Sequence, residues 1–327
     1  MSFGMLSHHL GFTKGKLNSF DPPCLLSRKF NGWSCVWDGG ITEGMLCKNI
    51  PWAYESAGKI STGLWSLARS KDIPDGMSKV INAPEYFIKG LPKGVPVHGE
   101  LWYNDRLDII KETVGTKNKI KPMWQAIKLI AFHIKPYSLF PNVNSITDVT
   151  PSLYYHPIPF EQVVKAIQQL EINDHFDNAG WVVAKSISDV EEYISLAKNN
   201  GWEGIMVSKP SGSYELGRSY NTLKWKATYE REGKVIGYEA GKTGKNIGRV
   251  GALTVDFTWD EKVLSVFGGM KHHVNKPIRF NVSGLYDDER EYSVCESIYP
   301  IGSEINFTYS GVTFDGVPVS ANINRGA

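Results

Sequence analysis

Lysine 29 is the residue in this sequence with the clearest capacity for chemistry. It stands in "LLSRKFNGWSCVWDGG", between two apolar stretches, with Asn31 and Gly32 just behind it. An Asn-Gly pair flanked by apolar residues signals a hairpin turn, which would hold Lys29 at a strand end. A solvated lysine is protonated and not nucleophilic at neutral pH; desolvation or neighbouring cations free its lone pair. Lys224 and Lys226 in "TLKWKA" supply such cations, because strand alternation puts both on one face, opposite Trp225. Glu100 in "VHGELW" and Glu203 in "GWEGIMVSK" each sit beside a glycine on an otherwise apolar strand. Carboxylates and a lysine cluster are what a metal-assisted phosphoryl site needs.

Elements with distinct periods must position these groups. "SCVWDGG" alternates as a strand, and "GVPVHGELWYNDR" is a strand opening into the turn Asn104-Asp105-Arg106. "TGLWSLARS" reads as a strand or short helix and "APEYFIKGLP" as a short element ended by Pro92. "FEQVVKAIQQL", from Phe160 to Leu170, is an amphipathic helix, and "SDVEEYISLAKNNG" a second, N-capped by Ser188 or Asp189 and ended by Gly201. "WEGIMVSK" and "NTLKWKATY" are strand-like. After Glu232, the segments "KVIGYEA", "VGALTVDF", "VLSVFGG" and "EINFTYSG" read as short strands between Gly, Asn and Asp turns, the pattern of a small barrel or sandwich. The boundary falls near Tyr229, and 327 residues suit two domains.

Composition narrows the class. The chain is 42% hydrophobic and 21% charged, as for an ordinary globular protein. No apolar run approaches the roughly 20 residues of a membrane span, and the start lacks the apolar core of a signal peptide, so a cytoplasmic protein is expected. Cys24, Cys35, Cys47 and Cys295 are too far apart for a structural zinc site and are expected as reduced, buried thiols. The net charge is +2, but residues 229 to 327 hold 11 basic and 13 acidic residues, which leaves an excess of 4 basic residues in 1 to 228. Polyanion affinity must therefore come from local patches, with Lys117, Lys119 and Lys121 one candidate and the loop "GKTGKNIGR", Gly241 to Arg249, another. "GYEAGKT" falls one residue short of a phosphate-binding P-loop and has no helix after it, so it reads as a basic loop. His8-His9 and His272-His273 are adjacent pairs whose rings point to opposite faces of a strand, which argues against a shared metal.

"KFNG" at Lys29, "GELW" at Gly99, "EGIMV" at Glu203 and "LKWK" at Leu223 occur in the order and spacing of covalent nucleotidyltransferases. The chain resembles small ATP-dependent DNA ligases of the bacteriophage and minimal bacterial type, over most of its length. "STGLWSLAR", "EGIMVSKPSGSYELGRSYNTLKWK" and "GYEAGKTGKNIGRVGALTVDF" share in the match.

The resemblance implies an α+β fold: an adenylyltransferase domain with antiparallel sheets and flanking helices over residues 1–228, then an all-β OB-fold DNA-binding domain over 229–327. It implies a lysyl-AMP on Lys29, transfer of AMP to the 5′-phosphate of a nick, and sealing by the 3′-hydroxyl. Glu100 and Glu203 would serve the ribose and a divalent metal, magnesium or manganese, with Lys224 and Lys226 on the phosphates. Arg69 would lie near the nick phosphate and Arg218 beside the site; Tyr137, with Phe132 as the alternative, would stack on adenine. Lys242, Lys245 and Arg249 would join Arg69 on DNA, and a monomer acting on nicked duplex is expected.

Three positions depart from the family's motifs. Asn31 and His98 stand where aspartates are usual, and Ser34 where an arginine is. These changes bear on metal-dependent steps, and on sealing more than on lysine adenylylation. Asn31 and His98 are expected to act as a compensated pair that holds water on the metal. Arg325 is the one residue left to stand for the family's charged final motif.

Overall fold

The structure is a computed structural model and describes residues 3–10, 12–13, 16–17, 21–54, 58–68, 72–115, 121–145, 154–267, 273–313 and 315–325. The chain divides into two compact units, one of Met1–Ile194 with Gly204–Trp225, the other of Ser195–Glu203 with Lys226–Ala327.

The strands of the first unit are β1 (Met5–His9), β2 (Cys24–Lys29), β3 (Trp33–Asp38), β4 (Leu64–Ser66), β5 (Pro96–Trp102), β6 (Lys128–Ile134), β7 (Phe176–Asn178), β8 (Val182–Ala184), β9 (Gly204–Ser208) and β10 (Gly217–Lys226). They form two five-stranded sheets, ordered β1-β10-β9-β2-β8 and β4-β3-β5-β6-β7. Most pairs are antiparallel as expected, but β1 runs parallel to β10 and β6 parallel to β7. Helices α1 (Glu85–Lys89), α2 (Leu107–Val114), α3 (Phe160–Gln168) and α4 (Ile187–Asn199) accompany these sheets.

The turn behind Lys29 departs from the sequence reading. Lys29 does end a strand, but β2 and β3 belong to different sheets and do not form a hairpin. Neither Asn31 nor Gly32 adopts a positive φ. Gly32 instead permits a close approach, since a Cβ there would lie 2.1 Å from the Leu101 carbonyl oxygen. The chain thus passes from one sheet to the other immediately after the lysine, and this crossing puts the ends of both sheets around it.

α3 and α4 form as the periodicity predicts, with Gly201 in the left-handed conformation (φ 63°) past α4. The N-terminal cap of α4 lies two residues earlier than expected. Ser186 Oγ accepts from the Asp189 amide at 3.2 Å, and the Asp189 carboxylate accepts from the Ser186 amide at 3.1 Å, a reciprocal capping box.

The core of this unit contains fully buried Trp37, Trp52, Trp65 and Trp124; truncation of such a ring typically costs about 3–5 kcal/mol. Buried Asp38 accepts from Gly40 N and Trp65 Nε1, both at 2.9 Å, and burial lifts its carboxyl to about 6. Fully buried Lys135 donates to the Phe3 carbonyl at 2.6 Å and lies over the rings of Phe3 and Phe140, which ties the beginning of the chain to β6.

The second unit is built on β11 (Tyr229–Ala240), β12 (Val250–Thr258), β13 (Pro277–Val282), β14 (Glu304–Tyr309) and β15 (Asn322–Ile323), in the order β13-β12-β11-β14-β15. A bridge between Ser283 and Asn322 joins the two ends of that order, so the sheet closes on itself. It is not all-β. The "VLSV" segment, read as a strand, lies in helix α5 (Glu261–Val266), because Asp260 Oδ1 caps the Val263 amide at 2.9 Å. A further helix, α6 (Tyr292–Ile298), and strand β13 were not legible in the sequence. Among the described residues no helix is long and apolar enough to cross a membrane.

Candidate functional site

A cavity of about 390 Å³ opens between the two sheets of the first unit, a volume suited to a small organic ligand. Met5 and Ser7 come from β1, Ser27 to Lys29 from β2, and Ser34 from β3. His98 and Glu100 on β5, Phe132 and His133 on β6, and Met206 and Ser208 on β9 add to the lining, with Arg218, Thr222 and Lys224 on β10. Trp181 closes one side. Of the residues named from sequence, the structure gathers Lys29, Glu100, Phe132, Arg218 and Lys224 around this one space.

Local structure explains each position. Lys29 lies opposite Gly204 in the antiparallel β2–β9 register, where the partner strand has no side chain to cover it. Gly99 is required for β5 to approach β6, since a Cβ there would meet the Ile130 carbonyl at 2.4 Å. A register irregularity between His98 and Gly99 in the β5–β6 pair leaves Phe132 outside the ladder. Glu100 Oε1 accepts from the Gly32 amide at 3.1 Å, which links the carboxylate to the segment that follows Lys29.

Tyr137 is a correction. It is buried in the apolar cluster with Trp52, Trp65 and Phe140 and does not line the cavity, whereas Phe132 does. The strand β6 ends at Ile134, so Phe132 still points from the sheet while Tyr137 has turned into the core. Glu203 and Lys226 are also absent from the lining. They form an ion pair at 2.8 Å, with the Glu203 side chain only 15% exposed. Glu100 is therefore the one carboxylate among the described lining residues, and no group of three His, Cys, Asp or Glu that would hold a metal occurs among the described residues. Arg69 lies outside the described residues, as do Lys117, Lys119 and His272.

Asn31 and His98 do not form a pair. The Asn31 amide and side chain both donate to Asp105, at 3.2 Å each. Asp105 also accepts from Trp102 Nε1 at 2.7 Å and pairs with Arg28, whose guanidinium lies over Phe30 and Trp102. His98 instead sits 3.4 Å from Ser34 Oγ through Nε2 and 3.0 Å from the Tyr214 hydroxyl through Nδ1. Burial holds His98 well below the ordinary imidazole range and pushes His133 down to about 3, so both rings are neutral at physiological pH. Asp105, His133, Trp181 and Tyr214 were missed in the sequence. The left-handed turn at Asn104 and Asp105 was the one local sign that Asp105 is placed for a purpose.

In the second unit, Lys242 pairs with Glu239 at 2.8 Å, Lys245 with Asp287, and Arg249 with Glu291 at 2.7 Å. The basic loop is thus matched by carboxylates. Arg325 makes two bonds to Glu289, at 2.6 and 2.7 Å, and stacks on Tyr286. The cavity has a different lining: Arg28, Lys29, Arg218 and Lys224 share it with one carboxylate, two phenylalanine rings and two neutral imidazoles. Such a lining suits an anion that carries a flat ring, beside a lysine placed to accept a group from it.

The two units, one of two sheets around the cavity and one a closed five-stranded barrel, share their fold with solved DNA ligases. A solved Lig E DNA ligase, described as binding DNA with a minimal scaffold, superposes with a TM-score of 0.62 at 22% identity and 98% coverage of both chains. A second solved structure, Pmar-Lig, gives 0.62 at 16% identity over 98% of this chain and 66% of its own. In sequence, a curated DNA ligase of Haemophilus influenzae is 26% identical over 259 residues, 78% of this chain and 79% of that protein. No protein-family model matches the chain. The resemblance to DNA ligases is thus matched by a curated relative and by the fold.

Proposed function

We propose that the protein is an ATP-dependent DNA ligase that seals nicks in duplex DNA through a lysyl-AMP on Lys29 and an adenylylated 5′-phosphate. The observation that carries this reading is that Lys29, Lys224, Arg218, Glu100 and Phe132, far apart in sequence, line one cavity. Lys29 Nζ attacks the α-phosphorus of ATP after losing its proton, a P–N bond forms, and the bond to pyrophosphate breaks. Lys224 and Arg218 hold the phosphates and stabilise charge on the transferring group. Phe132 stacks on adenine and Glu100 serves the ribose. Magnesium, or manganese in its place, belongs with the nucleotide as its counter-ion, and no step is assigned to a metal held by the chain. Glu203 and Lys226, occupied with each other, are given no contact with the nucleotide.

Residues 1–228 form the adenylyltransferase domain in this reading and 229–327 the DNA-binding one. Lys242, Lys245 and Arg249 exchange their exposed carboxylate partners for DNA phosphates, a trade that costs little because surface ion pairs contribute about 0–1 kcal/mol. Arg69 contacts the nick phosphate. The ligase acts as a monomer in the cytoplasm.

The test is to incubate the purified protein with magnesium and α-labelled ATP and look for label on the denatured chain. Label that is absent from Lys29→Ala and discharged by nicked duplex supports the ligase. Label that nicked duplex fails to discharge would leave an adenylyltransferase that is not a DNA ligase. A folded, initially unadenylylated protein that takes no label would overturn the reading altogether.

A further inference from the structure

The cavity contains a hydrogen-bonded chain that lysine adenylylation does not require. The Met5 amide donates to the Tyr214 hydroxyl at 3.1 Å, that hydroxyl lies 3.0 Å from His98 Nδ1, and His98 Nε2 lies 3.4 Å from Ser34 Oγ. Its direction follows from donor counting. Tyr214 Oη already accepts from the backbone, and burial keeps the phenol protonated, so its proton goes to Nδ1. A neutral imidazole that accepts at Nδ1 carries its proton on Nε2 and donates it to Ser34. Ser34 Oγ therefore accepts from His98, and its own proton has no other acceptor among the described residues.

Ser34 lines the cavity and stands directly opposite Glu100 in the β3–β5 register. Directly opposed side chains share a face, with Cβ atoms roughly 4.5–5.5 Å apart. A hydroxyl donor and a carboxylate acceptor at that spacing can bracket the two adjacent hydroxyls of a ribose. The neighbours agree with a sugar at this place. The Phe132 ring is 4.8 Å from the His98 ring on one side, and Glu100 bonds the Gly32 amide, close behind Lys29, on the other. Base, sugar and phosphate positions thus follow one another from Phe132 through Ser34 and Glu100 to Lys29.

We propose that Ser34, oriented by His98 and Tyr214, selects a ribonucleotide over a deoxyribonucleotide by donating to one ribose hydroxyl while Glu100 accepts from the other. Ser34 is a specificity-determining residue, and His98 and Tyr214 are positioning residues. The inference rests on ATP being the adenylyl donor to Lys29.

The experiment measures Lys29 labelling with ATP, 2′-deoxy-ATP and 3′-deoxy-ATP on the wild type, Ser34→Ala, Ser34→Thr and Tyr214→Phe, each shown to be folded by its thermal melt. The wild type should favour ATP over at least one analogue by about 10-fold in KM, since one lost hydrogen bond is worth that order. Ser34→Ala should raise the KM for ATP about 10-fold at nearly constant kcat and leave that analogue's KM in place, so the preference collapses. Ser34→Thr should restore it and Tyr214→Phe should give an intermediate value. The wild-type preference should stay flat between about pH 6 and 9, because His98 does not titrate there. Equal use of all three nucleotides by the wild type, or a preference unchanged in Ser34→Ala, would overturn the proposal with adenylylation intact. Absence of label from the wild type with any nucleotide would instead remove the reading on which it rests.

Discussion

The cavity of the first unit and the basic loop of the second both looked like anion sites in the sequence, and their local chemistry differs. Around the loop, Lys242, Lys245 and Arg249 each have a carboxylate at hand, from Glu239, Asp287 and Glu291, on exposed side chains. In the cavity, Lys29, Arg218 and Lys224 share a lining with the single carboxylate of Glu100. Clusters of basic letters thus do not by themselves mark electropositive surface. What matters is what the fold places beside them: an acid for each of the three in the barrel loop, and in the cavity a shared lining of one carboxylate with aromatic and imidazole rings.

Single changes should expose the contrast. Lys224→Ala should slow labelling of Lys29 by about 100-fold, the effect of removing one oriented group from a transferring phosphoryl, read as a single-turnover rate at saturating ATP. A change below 5-fold would place Lys224 outside the reaction. Asp105→Ala removes the acceptor shared by Arg28, Asn31 and Trp102, with the Asp105 side chain 25% exposed. It should cost about 2 kcal/mol in urea unfolding, and a neutral result would deny that this carboxylate fixes the segment behind Lys29.

The two buried imidazoles predict a pH dependence. His133 has its folded value near 3, below the ordinary 6.5, so between those limits the unfolded chain binds a proton that the native one does not. Stability is full above about 6.5 and falls as pH drops toward 3, by at most about 1.4 kcal/mol per pH unit for each such histidine. Asp38, raised to about 6, works in the opposite sense between its ordinary value and that point. His133→Phe should therefore flatten the loss of stability between pH 6.5 and 4.5, and an unchanged slope would mean that the ring is not buried neutral. The smallest effect is expected in the barrel loop. Lys242→Ala should weaken affinity for duplex DNA by about 2-fold, because the lysine gives up Glu239 to reach a single phosphate; an unchanged affinity would take Lys242 out of the interface.

Much of the site was legible because local pattern and function coincide. Lys29 at a strand end, Glu100 and Lys224 on alternating strands, and the helices α3 and α4 follow from period, although the cap of α4 lies at Ser186. The illegible parts depend on contacts between distant segments. An Asn-Gly pair reads as a hairpin wherever the two strands pair, and nothing local says that β2 and β3 enter different sheets. Phe132 and Tyr137 are equally aromatic, and only the end of β6 at Ile134 decides which meets the cavity. Asn31 and His98 looked like partners because both replace aspartates, yet Asp105 claims one and Tyr214 the other. The helix α5 was hidden for a different reason: "VLSV" is apolar and β-branched, and one aspartate cap outweighs its propensity.

The strand β1 gives the cavity a wall, held by its ladder to β10 and by contacts of long reach such as Lys135 to the Phe3 carbonyl and Met5 to Tyr214, the latter spanning 209 positions. On the ribosome this wall has no partner until β10 has left the exit tunnel, because β1 is made well before the strand it pairs with. A nascent chain carries Lys29 before it has the pocket to use it, so competence for nucleotide arrives only when β1 finds the strand that ends in Lys224 and Lys226.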